Sequence, residues 1–221
     1  MTRTGKLYII NVNYVIYKNQ VKEKRAFKDA YRIMKKIGAF LLSLVMLLSV
    51  IVLPTNTTQA AEAMPTVSYS VHAQSYGWMN PAQNGKTAGT TGQGKRLEAI
   101  AISLKQNGTS YAGGLRYQAH VQTYGWMNWV DADTNGASPR SLADKGQYAG
   151  TVGKSKRMEA IRMELTGELA NRYEVLYRVH MQTYGWSSWT KGGDTAGTVG
   201  QGKRLEAIEI KLIQKPSVTP A

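Results

Sequence analysis

The sequence predicts an all-β protein in which three repeats close about a pseudo-threefold axis, trefoil-like or, as the alternative, β-prism-like. Three observations carry that prediction. One unit recurs three times after residue 66. Its ends alternate apolar and polar residues with period two, the signature of a strand with two distinct faces. Between those ends lie Gly, Thr and Asn, which are turn formers. A closed arrangement would also remove the exposed sheet edges that such units carry singly.

The chain has 221 residues, no cysteine and a formal net charge of +14. Zero cysteine excludes a disulfide scaffold, a thiolate metal site and a thiol nucleophile. The charge is unevenly spread: +8 falls in residues 1–60 and +6 in residues 61–221. The first segment holds an uncharged apolar run, Ile37–Leu53, preceded by Lys35-Lys36 and followed by the small residues Ala60, Ala61 and Ala63. Positive start, apolar centre and small-residue exit predict a secretory signal peptide over 34–63. A membrane anchor is the competing reading, and 17 residues is short of the roughly 20 a span needs. Met34 is read as the true start, with residues 1–33 an over-extended start or a cytoplasmic extension. The expected location is therefore extracellular or cell-wall associated, with membrane contact only through an uncleaved signal segment.

The repeats are expected at 67–105, 115–166 and 173–213 of a single β-domain spanning 66–214, with 215–221 a tail. Each repeat opens on an alternating strand (Val67, Tyr69, Val71; Tyr117, Ala119, Val121; Tyr177, Val179, Met181) and closes on another. The closing strands carry Ile100, Ile102 and Leu104, then Ile161, Met163 and Leu165, then Ile208, Ile210 and Leu212. The first and third repeats align from Val71–Leu104 to Val179–Leu212 without a gap, and 22 of those 34 positions are identical. The second carries 13 extra residues between Trp126 and Ala149. No stretch after residue 64 shows a helical period, so no helix is expected there.

Within each repeat the pattern is His-x-Gln-x-Tyr-Gly-Trp, then Ala-Gly-Thr-x-Gly, then Lys-Arg-(Leu/Met)-Glu-Ala-Ile. It resembles the ChW repeat (clostridial hydrophobic, with a conserved tryptophan) and spans nearly all of the chain after the apolar run. The resemblance implies a secreted or surface-associated protein of Gram-positive anaerobes or their relatives that binds an extracellular substrate or macromolecule. One departure stands out. The first repeat has Pro81 where the others carry a second tryptophan, Trp129 and Trp189.

Strand parity would put His72, Gln74, Tyr76 and Trp78 on one face, as far as Gly77 permits. His120, Gln122, Tyr124 and Trp126 would follow suit, as would His180, Gln182, Tyr184 and Trp186. An aromatic ring beside an amide and an imidazole suits a sugar: the ring stacks on its apolar face and the polar groups bond its hydroxyls. The bland reading is that these aromatics pack between repeats while His and Gln bond buried backbone groups. Trp129 and Trp189, in turn-like surroundings, complete the candidate set. The repeated Arg and Glu at i, i+2 are expected to pair within or between repeats. Asp131, Asp133 and Asn135 occupy positions 1, 3 and 5 of a calcium-type loop, but position 12 would be Leu142, which favours a plain polar loop.

The function expected is non-catalytic binding of extracellular carbohydrate, such as cell-wall or plant polysaccharide, by a monomer. The alternative is a protein–protein adhesion or scaffold module acting on a cell-surface protein. No cofactor is expected and no nucleic-acid partner, because the basic pairs are interleaved with acids. An enzyme is disfavoured, since acid and base catalysts need different environments and the repeated glutamates have nearly the same neighbours.

Overall fold

The computed structural model describes residues 18, 20–36, 63–108 and 110–216. The chain divides into two compact units, Met1–Thr58 and Gln59–Ala221. In the first, residues 20–36 form a helix whose side chains are almost all exposed. No helix among the described residues is long and apolar enough to cross a membrane. The run Ile37–Leu53 and the expected cleavage region lie outside the described residues.

The second unit is mostly β. The first repeat supplies β1 (Thr66–Ala73), β2 (Gly77–Trp78), β3 (Ala82–Gln83), β4 (Ala88–Gly89) and β5 (Leu97–Lys105). The second supplies β6 (Leu115–Val121), β7 (Gly125–Trp126), β8 (Val130–Asp131), β9 (Ala149–Gly150) and β10 (Met158–Leu165). The third supplies β11 (Tyr173–Met181), β12 (Gly185–Trp186), β13 (Thr190–Lys191), β14 (Ala196–Gly197) and β15 (Leu205–Gln214). The long opening and closing strands pair antiparallel within each repeat, β1 with β5, β6 with β10 and β11 with β15. They fall where the alternating pattern puts them, because period two gives each strand one continuous apolar face.

Three five-stranded sheets result, one centred on each repeat, and each borrows its last strand from another repeat. β9 of the second repeat pairs with β5 of the first. β14 of the third pairs with β10 of the second. β4 of the first pairs with β15 of the third. Glycine is required at each crossing. A Cβ on Gly150 would lie 2.4 Å from the Glu98 carbonyl oxygen, and Gly89 and Gly197 meet the Glu206 and Glu159 carbonyls at the same 2.4 Å. This close approach is why Ala-Gly-Thr recurs in the sequence.

The inner faces of all three sheets form one hydrophobic cluster. Three buried tyrosines link its repeats in the same order as the borrowed strands. The Ile102 N–H donates to Tyr117 Oη (3.2 Å), the Met163 N–H to Tyr177 Oη (3.4 Å) and the Ile210 N–H to Tyr69 Oη (3.0 Å). Tyr69 and Tyr177 pass their own protons on to the carbonyls of Lys86 and Asp194. Burial pushes the phenols of Tyr69 and Tyr177 up to about 12 and raises Tyr117 further, with the backbone N–H bonds partly offsetting it.

The sequence reading missed two six-residue helices, Pro139–Asp144 and Gly167–Arg172. Six residues are under two turns, too few for a helical period to register. The local cue was Ser138-Pro139, an N-cap type followed by proline at the first helical position.

Candidate ligand-binding site

The aromatic motif is a hairpin, which corrects the reading of one strand face by parity. After Ala73 the chain turns: the Tyr76 N–H donates to the Ala73 carbonyl (3.0 Å), and β2 runs back along β1. Ser75 sits at φ 70°, with Thr123 at 68° and Thr183 at 77° in the other repeats. Positive φ at the third turn residue is the type II pattern, which usually calls for glycine or asparagine. His72 and Trp78 still meet, but as partners directly across the hairpin, and so do His120 with Trp126 and His180 with Trp186. Gln74 and Tyr76 lie in the turn instead, as do Gln122, Tyr124, Gln182 and Tyr184.

Each histidine is held from two sides. Its ring meets the facing tryptophan edge-on, with centroids 5.6, 5.4 and 5.5 Å apart in the three repeats. Its Nδ1 faces a glutamate carboxylate: His72–Glu98 at 2.9 Å, His120–Glu159 at 3.2 Å and His180–Glu206 at 3.1 Å. Only the third is aligned well enough to count as a hydrogen bond; the first two are close contacts off the bonding line. The other glutamate oxygen takes Arg96, Arg157 or Arg204 of the same repeat, with Nη2 at 2.7–2.8 Å. Arg and Glu at i, i+2 therefore pair within the repeat. The glutamates are buried, and a buried carboxylate must be matched by cations and donors. These side chains are engaged with one another, so the His–Glu–Arg set positions the hairpin.

The tip of the hairpin is the part left open. Tyr76, Tyr124 and Tyr184 are 52–58% exposed, although large aromatics generally prefer burial. Tyr76 Oη donates to Gln93 Oε1 at 2.6 Å, and Tyr184 Oη to Gln201 Oε1 at 3.4 Å. Lys95 Nζ donates to Ser75 Oγ (3.2 Å) and Lys203 Nζ to Thr183 Oγ1 (3.3 Å). Gln93 and Gln201 escaped the sequence reading, though both repeat inside Gly-x-Gly just before Lys-Arg. The second repeat has Lys154 there, so its tip is the most basic of the three.

The outer faces differ between repeats. In the second, Arg162 stacks 4.4 Å from the Trp126 ring centroid, and Arg116, paired with Glu164, stacks 4.8 Å from Trp129. In the third, Arg178 lies 4.9 Å from Trp186 and 4.8 Å from Trp189, and Lys211 lies 4.1 Å from Trp189. Trp129 is exposed and Trp189 half-buried. In the first repeat the insertion of the second covers this place. Leu142 and Ala143 of the short helix pack on Ala101 with Trp78 and Tyr148, and Arg140 Nη1 donates to the Trp78 carbonyl at 3.4 Å. Trp78 thus packs between repeats, while the other tryptophans keep cations against their rings.

The loop read as a plain polar loop, with a weak calcium pattern at Asp131, Asp133 and Asn135, carries hydrogen bonds of its own. Asp131 lies in β8, opposite Arg116. Asp133 Oδ1 accepts the N–H groups of Asn135 (3.0 Å) and Ala137 (2.9 Å), an Asx turn closing the polar loop. No cluster of metal-ligating side chains occurs among the described residues.

No curated relative and no solved structure matches this chain. A family model described as Clostridial hydrophobic W matches residues 72–106, 120–167 and 180–214, one segment per hairpin-and-return unit. With all three units matched, the chain belongs to the Clostridial hydrophobic W family as three tandem ChW repeats.

Proposed function

We propose that this protein is a secreted, non-catalytic module that binds extracellular carbohydrate at the hairpin tips and outer faces of its repeats. The carrying observation is the set of three tyrosines at equivalent hairpin positions, each more than half exposed behind a turn residue at positive φ. Holding a non-glycine residue there costs about 1–3 kcal/mol, and such strain concentrates at functional positions. Tyr76 with Gln93 and Tyr184 with Gln201 each present a ring with an amide at its rim. A pyranose stacks on such a ring and bonds such an amide. Trp129 and Trp189 extend the surface in the second and third repeats. The histidines act from behind, by fixing the tryptophan opposite them.

The signal-like segment supports export, and the mildly basic repeat region supports residence near an anionic cell wall by weak, salt-screened attraction. Cyclic strand exchange supports a prism-like closure of three sheets about a pseudo-threefold axis, with a single copy complete in itself. Affinity electrophoresis in gels containing cell-wall or plant polysaccharide tests the reading. The Y76A/Y124A/Y184A variant should lose retardation while keeping the wild-type circular dichroism spectrum. Unchanged retardation of that variant sinks the carbohydrate reading at the tips. Capture of a cell-surface protein that persists in excess polysaccharide would replace it with an adhesion role, the tyrosines then serving as anchors.

A further inference from the structure

A recess lies away from the hairpin tips. It occupies about 470 Å³ on the outer face of the first repeat, between β1, β5 and the insertion of the second repeat. That volume is within the range of small-molecule sites, roughly 300–1,000 Å³. The register shows how it arises. Ser68 and Ser103 face each other across β1 and β5, where the second repeat places the Arg116–Glu164 pair and the third places Leu176 and Lys211. Pro81 stands where they have Trp129 and Trp189. Three bulky positions are thus small in this repeat alone. The space is walled by Gly136–Pro139, part of the insertion that only the second repeat carries.

The lining has a definite polarity. Asn107 spends its Nδ2 donors on the Met64 carbonyl and Thr66 Oγ1, both at 2.9 Å, which leaves its carbonyl oxygen as an acceptor for a ligand hydroxyl. Gln83 Nε2 donates to Ser68 Oγ at 2.9 Å and likewise keeps an acceptor oxygen. Ser103 supplies a hydroxyl, and among the described residues Lys105 supplies the one cation of the lining and no carboxylate takes part. Its stem follows the wall at Gly136. Among the described residues no aromatic ring lines the recess, so recognition there rests on hydrogen bonds and charge and not on stacking.

We infer that this recess is a binding site for a small hydroxylated carboxylate, such as one or two uronic-acid units. The amide oxygens of Gln83 and Asn107 would take the ligand's hydroxyl protons, and Lys105 would take its carboxylate. The site is independent of the hairpin-tip surface and stands or falls separately from it.

Isothermal titration of the full chain with digalacturonic acid, and with cellobiose as the neutral control, tests this. Saturable binding of digalacturonic acid is expected, about tenfold tighter than cellobiose, the worth of one modest charge-assisted contact. K105M should erase that preference. S68R/S103E, which copies the pair already tolerated in the second repeat, should abolish binding while leaving the thermal transition in place. Y76A/Y124A/Y184A should bind digalacturonic acid as the wild type does. Absence of saturable binding, equal affinity for cellobiose, or binding that survives S68R/S103E would each overturn the assignment. Loss of binding in the tyrosine variant with S68R/S103E unaffected would overturn it in favour of the tips.

Discussion

Tyr69, Tyr117 and Tyr177 show how much one atom can contribute. Each phenol oxygen satisfies a backbone N–H from a different repeat, inside a core where an unpaired N–H costs about 1–3 kcal/mol. The same burial that makes the bond valuable disfavours the phenolate, so the folded pKa lies above the unfolded value near 10. Above pH 10 the unfolded chain loses protons that the folded chain keeps, and stability falls as pH rises. Stability from these groups should therefore be whole below pH 10 and decline as the pH approaches about 12. Urea denaturation across that window measures it. Tyr177→Phe should be destabilised by about 1–3 kcal/mol at neutral pH and show a shallower alkaline decline. An identical decline in that variant would assign the effect to other groups.

The short strands β4, β9 and β14 are the elements on which the assembly turns. Each is two residues long and would be negligible alone. Their glycines let one repeat's backbone lie against the next, with the Thr151 N–H donating to the Glu98 carbonyl at 2.8 Å and equivalents at Thr90 and Thr198. Gly150 also sits at φ 109°, outside the region open to other residues. Gly150→Ala should therefore combine steric overlap with backbone strain and cost about 2–5 kcal/mol. A chemical-denaturation midpoint close to wild type would show that the exchange tolerates displacement. The hairpins obey a different constraint. Their turns set His and Trp across from one another, and the buried glutamate behind each then fixes the imidazole.

At the scale of the whole molecule, borrowed strands and borrowed hydrogen bonds run in one direction around the three repeats. The first completes the third, the second the first, and the third the second. Removing one repeat deprives two others. A chain ending after Leu165 loses β15, the partner of β4, and the Ile210 N–H that meets Tyr69. It should show no cooperative thermal transition, whereas the full chain should give one transition for residues 63–216. A separate transition for the first two repeats would mean that they fold as independent beads.

Much of this was legible from the residues. Period-two alternation located the six long strands, and the threefold pattern of Ala-Gly-Thr and Lys-Arg-x-Glu marked places where something recurs. Strand faces depend only on local periodicity, so the sequence alone determined them; that Arg and Glu at i, i+2 pair within a repeat, where the sequence left a pairing between repeats open, came from the structure. It could not say that Ala-Gly belongs to a neighbouring sheet, because the residue it approaches lies in another repeat. Nor could it separate Trp78 from Trp126 and Trp186, whose local sequences are nearly the same. That difference comes from Leu142 and Ala143, more than sixty residues away, packing over the first repeat alone. The tyrosines were grouped with histidine and tryptophan by parity, and a turn at positive φ sent them outward instead. Tertiary structure decided which aromatics are scaffold and which are surface, because burial depends on what arrives from elsewhere in the chain.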